Sequence, residues 1–167
     1  MHMHAITSPP RRVFGMEPMQ TDKEKPGRPA IEPAICNCLA LRQAARHASQ
    51  LYDRHLAAEG LTTAQYSMLA KLARLGPQSI NALAAMMVMD RTTTTRAVQP
   101  LARDKLVAIA PGEDGRTRLV RITPAGERRA NAAAARWRDA QKEFESGYGS
   151  RAAEQLRKDL ARVVETV

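Results

Sequence analysis

One β-hairpin interrupts a sequence that otherwise reads as helix, and this limits the fold to a mainly α class with a small β element. Leu106-Val107-Ala108-Ile109 and Arg118-Leu119-Val120-Arg121-Ile122 carry the only strand signal in the chain. Between them, Pro111-Gly112-Glu113-Asp114-Gly115 supplies the residue types that tight turns need, so the segment reads as a hairpin tip. The flanking sequence has apolar residues at three- and four-residue steps, the spacing of helices.

Cap signals divide those helices. Cys38, Leu41, Ala45, Ala48, Tyr52 and Leu56 give one stripe along a helix of about 25 residues that begins near Ala34 and ends at Gly60. Thr62 with Gln65 forms a capping box, and Leu61 facing Tyr66 forms a hydrophobic staple. The helix they open carries Met68, Leu69 and Leu72 and stops before Gly76-Pro77. Ser79 caps a short helix through Leu83 to Met87, and Asp90 caps another through Thr95 and Val98 to Arg103. After the hairpin, Thr123-Pro124 starts a helix through Trp137 to about Ser146. A Gly147/Gly149 break then leads into a final helix over 150–165.

At 167 residues the chain is about one domain, too short for separate cofactor and substrate lobes. Residues 1–33 hold six of the ten prolines and lack apolar periodicity, so they read as a disordered N-terminal arm. The first twenty residues contain Pro9, Pro10, Arg11, Arg12 and Glu17 and no apolar stretch, unlike a secretory signal. No apolar run approaches the roughly 20 residues of a membrane span. Two cysteines cannot build a disulfide framework, so the expected location is the cytoplasm.

Lys and Arg total 26 against 17 acids, a net charge of +9. Arg dominates, which suits bidentate contacts to phosphates and base edges. The order helix, helix, short helix, Asp-capped helix, hairpin is that of a winged helix-turn-helix. On a helical wheel of residues 91–103, Thr94, Ala97, Val98 and Leu101 share one side; Thr92, Arg96, Gln99 and Arg103 share the other, with Thr95 beside them. That second face presents hydroxyls, an amide and guanidiniums and no acid, the donor set that reads a major groove. With Arg91 and Thr93 from its first turn, this helix is the expected DNA-reading element. In the hairpin, Arg116 and Arg118 lie just past the tip, where an arginine can enter a narrow minor groove. Asp114 is positioned to orient Arg116.

Asp114-Gly115-Arg116, followed by Arg121-Ile122-Thr123-Pro124-Ala125-Gly126, resembles the wing signature of MarR-type transcription regulators, Asp-x-Arg with a downstream Leu-Thr-x-x-Gly. Met89-Asp90-Arg91-Thr92-Thr93-Thr94-Thr95-Arg96, continuing through Pro100-Leu101-Ala102-Arg103-Asp104-Lys105-Leu106-Val107, is similar to that family's recognition helix and its lead into the wing. The resemblance covers roughly residues 35–165. Ile122 replaces the usual Leu, and Lys105 stands where a Gly is common, which implies a looser helix exit. Pro100 removes one helical hydrogen bond and crowds the Arg96 carbonyl, at about 3 kcal/mol, so a bend or a looser last turn is expected there.

The terminal helices are long for a monomer with so small a DNA-binding core, and apolar residues such as Leu156, Leu160, Val163 and Val164 need a partner surface. Two-fold pairing would set two recognition helices about one DNA turn apart, on a pseudo-palindromic operator in double-stranded DNA. The resemblance implies the same homodimer. The expected division is therefore 34–60 as an N-terminal dimerisation helix, 61–123 as a winged helix-turn-helix DNA-binding region, and 124–167 as C-terminal dimerisation helices. The resemblance also implies a repressor released by a small aromatic or phenolic effector bound between the dimerisation and DNA-binding parts. Tyr52, Tyr66, Met68 and Trp137 are the lining candidates, with Arg46 or His47 as carboxylate partners.

Other chemistry is weakly represented. Cys36 and Cys38 would stand about 200° apart on a helix, unsuited to a disulfide or a shared metal and suited to core or interface packing. Their pairing across a dimer defines an alternative, redox-responsive reading; a low-specificity architectural DNA-binding protein is another. His47 and His55 are roughly 12 Å apart along one helix axis, too far to share an ion. No His-Glu-x-x-His, P-loop or Gly-x-Ser-x-Gly occurs, so neither an enzyme, a metal nor a cofactor is expected.

Overall fold

The computed structural model of the protein describes residues 36–112 and 117–166. The expected arm over 1–33, and Asp114 and Arg116 at the hairpin tip, lie outside the described residues. The elements are α1 (Asn37–Leu56), followed by a 3₁₀ turn over Ala57–Glu59, α2 (Thr63–Leu75), β1 (Gln78–Ser79), α3 (Ile80–Met87) and α4 (Arg91–Arg103). The hairpin strands β2 (Val107–Pro111) and β3 (Arg118–Ile122) come next, then α5 (Pro124–Tyr148) and α6 (Ser150–Thr166). This is the mainly α, winged helix-turn-helix arrangement that the single hairpin implied.

Side-chain caps set most of the helix starts. Thr62 Oγ1 accepts from Gln65 N while Gln65 Oε1 accepts from Thr62 N, closing the capping box. Ser79, Asp90 and Thr123 each accept from the backbone N–H three residues on. Two of the long helices, α1 and α5, depart from the sequence reading at their ends. The described part of α1 starts at Asn37 behind an extended Cys36, and α5 runs unbroken through Gly147 to turn only at Gly149, φ 94°. Pro100 sits inside α4, which still continues to Arg103, so the missing hydrogen bond does not end the helix.

The hairpin carries a third strand that the sequence did not reveal. β1 pairs antiparallel with β3, Gln78 opposite Val120 and Ser79 opposite Leu119, giving the order β1-β3-β2. Two residues are too few to show alternation, which is why β1 had no signature. Its consequence is positional: the start of α3 is tied to β3 beside Arg118.

Below this sheet lies the core. Leu56, Met68, Leu69, Leu72, Leu83, Val98, Leu101 and Val120 are wholly inaccessible, joined by Leu61, Leu106, Val107, Ala130 and Ala133. The long helices contribute unequally. Of the α1 stripe, Leu56 is buried and Ala48 and Tyr52 are half-buried, whereas Cys38, Leu41 and Ala45 are exposed in the single chain. From α6 only Ala153 is buried. Polar links hold α1 to its neighbours: Tyr52 Oη donates to Gln141 Oε1, Glu143 on α5 takes both Arg54 and His55, and Asp53 accepts from Thr63 N and Oγ1 at the start of α2.

Candidate nucleic-acid interface

Helix α4 separates its two faces as its sequence period requires. Thr94, Val98 and Leu101 are at most 1% exposed, and Thr94 satisfies its buried hydroxyl by donating to Asp90 O at 2.9 Å. Arg91, Thr92, Thr93, Arg96, Gln99 and Arg103 are exposed, and Thr95 is half-buried. Thr92, Arg96, Gln99 and Arg103, spaced four, three and four residues apart, therefore stand on one solvent face.

The hydroxyls on this helix are not equivalent. Thr93 Oγ1 donates to Asp90 Oδ2 at 2.6 Å and Thr95 Oγ1 to Arg91 O at 2.8 Å, which leaves their oxygens as acceptors only. Thr92 makes no side-chain hydrogen bond among the described residues. The carboxylate of the cap residue Asp90 is occupied by Thr93, whose hydroxyl and then backbone N–H hold its pKa below the ordinary range. Arg103 lies 3.5 Å from Asp104, both largely exposed, whereas Arg91, Arg96 and Arg118 have no ion pair among the described residues. The arrangement offers guanidinium and amide donors free for bases and phosphates.

The helix exit contradicts the looseness inferred from Lys105. Leu106 N donates to Leu101 O at 2.8 Å and Lys105 N to Ala102 O at 3.0 Å, the paired bonds of a Schellman turn. Lys105 takes the left-handed conformation, φ 59°, that a glycine would hold without strain. The exit into β2 is thus tight.

Sequence reasoning missed a cleft of about 150 Å³ where Ser79, Asn81, Arg91 and Arg118 come together from β1, α3, α4 and β3. Its residues are scattered along the chain: Ser79 was visible as a cap and Arg91 and Arg118 as DNA-contact candidates, but nothing in the sequence brought them together with Asn81.

The effector candidates do not converge. Tyr52 lines an apolar groove of about 550 Å³ between α1, α5 and α6, with Leu41, Phe144, Leu156 and Leu160, and Arg157 is the only cation among its described lining residues. Burial, with Glu145 adding to it, raises the Tyr52 pKa. Tyr66 and Trp137 stack at 6.4 Å between ring centres and line a separate hollow of about 370 Å³ between α2 and α5, beside Lys71 and Arg74. Met68 is wholly buried among Leu69, Leu72 and their neighbours and lines neither space, because its position on α2 faces the core. Arg46 and His47 are exposed on α1 and also line neither. Cys36 and Cys38 are exposed rather than packed in the core, and the Cys36 sulfur accepts from Leu39 N at 3.4 Å. No group of three metal-ligating side chains occurs among the described residues, and no described helix is long and apolar enough to cross a membrane.

A winged helix-turn-helix whose second helix shows an acid-free cationic face defines the class: a DNA-binding regulator. Comparison with known proteins is specific about which kind. Residues 59–117 match the sequence model of the MarR family. The M. tuberculosis transcriptional regulator MosR, solved in complex with DNA, is 34% identical and superposes with a TM-score of 0.70 over 77% of this chain and 92% of its own. The transcriptional activatory protein BadR of Rhodopseudomonas palustris is 36% identical over 90 residues, a match covering 52% of this chain and about half, 51%, of BadR. The Streptomyces coelicolor regulator PcaV, solved with its natural ligand, shares the fold at a TM-score of 0.73 with 20% identity, over 83% of this chain and 99% of its own. The chain belongs to the MarR family of DNA-binding transcriptional regulators.

Proposed function

We propose that the protein is a homodimeric, sequence-specific repressor that occupies a pseudo-palindromic operator and is released by a small aromatic or phenolic ligand. The observation that carries the DNA part is the exposed face of α4, where Thr92, Arg96, Gln99 and Arg103 stand together and no acid is interleaved. Arg96 and Gln99 supply donors for base edges; Arg91 and Arg118 stand at the start of the helix and on the wing strand, where backbone phosphates are met. Thr93 and Thr95 contribute acceptor oxygens.

What the single chain leaves uncovered supports dimerisation. Leu39, Leu41, Leu160 and Val163 are each 38–39% exposed and Val164 62% exposed, on the two helices that flank the α5 groove. A second copy covers this apolar surface. For the ligand, the Tyr66–Trp137 hollow fits best: a planar ring stacks there while Lys71 or Arg74 meets a carboxylate. It lies between α2 of the DNA-binding region and α5, so its occupancy can alter their relative setting.

The experiment is protection of the DNA upstream of the protein's own gene, followed by binding to the protected duplex and to a random one. A regulator prefers the former by roughly 10³-fold or more, whereas a DNA-coating protein binds both about equally. A reporter placed behind the protected site separates repression from activation. Aromatic carboxylates that quench Trp137 emission and weaken operator binding identify the ligand class.

A further inference from the structure

We propose that the cleft between the starts of α3 and α4 and strand β3 seats a single DNA backbone phosphate, clamped by Arg91 and Arg118 and bonded by Asn81. This inference rests on the DNA-binding reading of α4 and adds a site to it.

The cleft is about 150 Å³ and is lined by Ser79, Ile80, Asn81, Arg91, Thr117 and Arg118. Arg91 and Arg118, from different elements, both line it, and no acid is among its described lining residues. Asp90, next to Arg91 in sequence, is turned to its own helix, with Thr93 N at 2.8 Å and Thr93 Oγ1 at 2.6 Å on its carboxylate. Like charges side by side with no ion pair among the described residues favour an anion between them. The sheet fixes the arrangement: Ser79 pairs with Leu119, which sets Arg118 beside the first residues of α3.

The shape selects a phosphodiester over a base edge. A base is read by side chains standing out along an exposed face, as Arg96 and Gln99 do. A small cleft lined by Asn81, Arg91 and Arg118 from three elements suits a compact anion whose oxygens accept several bonds at once. A phosphate held there ties the first turn of α4 to the wing strand, and so sets the depth and tilt of the reading helix without itself reading sequence.

The test uses the full chain with a random-sequence duplex and the protected operator duplex, by fluorescence anisotropy over a salt series. Arg91→Ala and Arg118→Ala should each weaken both duplexes by the same factor, about five- to tenfold. Because they share one phosphate, the double variant should lose less than the product of the single losses. Its slope of log K against log salt should fall by about 0.9, one phosphate's worth. Asn81→Asp, which puts an acid in the cleft at an exposed position, should weaken both duplexes at least about tenfold with an unchanged melting temperature.

Losses that multiply, with a slope change of about 1.8, would place the two arginines on separate phosphates and overturn the clamp. So would unchanged affinity in Asn81→Asp. Inorganic phosphate that displaces the duplex better than chloride at equal ionic strength, and loses that advantage in Arg118→Ala, would assign the cleft to a free anion instead. A wild-type protein with no salt dependence overturns the DNA-binding reading itself, a failure distinct from the others.

Discussion

The α-carbon of Gly126 faces the carbonyl oxygen of Leu106 so closely that no β-carbon fits between them. The contact is part of the joint between the wing and α5. Thr123 N donates to the same Leu106 oxygen at 3.0 Å, the Thr123 hydroxyl lies 2.7 Å from Lys105 O, and Gly126 N donates to that hydroxyl at 3.0 Å. Gly126→Ala should therefore destabilise the fold by about 3 kcal/mol, as an overpacked site against rigid backbone does. Thermal unfolding should show a drop of roughly 10 °C. An unchanged melting temperature would mean that the joint relaxes easily and that the glycine is there for another reason.

Two helix exits hold side chains where glycine would be unstrained. Val88 and Lys105 have φ of 53° and 59°, and each closes a Schellman turn, with Met89 N on Ala84 O and Leu106 N on Leu101 O. The left-handed conformation costs about 1–2 kcal/mol for a residue with a β-carbon, most for a β-branched one. Val88 is 71% exposed and so contributes little packing to offset that strain. Val88→Gly should raise stability by about 1 kcal/mol net of the extra freedom glycine has when unfolded. Lys105→Gly should gain somewhat less. Lower melting temperatures in both variants would contradict the strain argument.

These exits also mark where the sequence stopped being informative. The boundaries of α4 were legible because Asp90 is a strong cap and Thr94, Val98 and Leu101 repeat at helical spacing. The hairpin was legible because its strands are five residues each and its tip is rich in turn formers. β1 was not, being two residues long, and the tightness at Lys105 was not, because neither Lys nor Val signals a left-handed turn. For the site, the exposed and buried sides of α4 follow from periodicity alone. The effector candidates failed to converge because periodicity places Met68 and Tyr66 on one amphipathic helix without saying which faces the core. The cleft of Asn81, Arg91 and Arg118 depends on β1 pairing, a long-range event that no local pattern encodes.

Acid should weaken the contact between α1 and α5. The Glu143 carboxyl is held below the ordinary carboxylate range, chiefly by its hydrogen bond with His55 at 2.7 Å and further by Arg54. A carboxyl whose pKa is lowered on folding contributes stability that is fully present above its unfolded value. That stability is lost as pH falls through the lowered folded value. Asp90 and Glu145 shift the same way, through Thr93 and through Gln141. Melting temperature should decline below about pH 4.3, the ordinary glutamate value. Glu143→Gln should melt below the wild type at neutral pH and converge with it as pH falls through the lowered Glu143 value. A gap that is constant across that range would show that the His55–Glu143 bond has no charge component.

Arg96 separates base reading from phosphate binding. It is exposed on α4 between Thr92 and Gln99 and has no ion pair among the described residues. Arg96→Ala should weaken operator binding by about 1–3 kcal/mol and narrow the gap between operator and random DNA. The contrast with Arg91 and Arg118, whose loss should lower both affinities alike, makes the comparison decisive. Equal loss on both duplexes would reassign Arg96 to a phosphate.

Oligomeric state can be tested at a position that a monomer would not notice. Leu160 on α6 is 38% exposed and lines the apolar groove with Leu41 and Phe144, and α6 buries only Ala153 within its own chain. A charge at such a surface position ordinarily changes the stability of a monomer by within about 0.5 kcal/mol. Buried against a second copy, an unpaired carboxylate is far more costly, and two-fold symmetry places it in the interface twice. Leu160→Asp should therefore shift the protein from dimer to monomer in sedimentation velocity at micromolar concentration. Because two half-sites are then engaged separately, operator affinity should fall by at least about 100-fold, while the residual binding to random DNA falls much less. A variant that stays dimeric with full operator affinity would place the partner surface elsewhere. A wild type that sediments as a monomer would remove the two-fold operator from the proposal and leave the groove to another occupant.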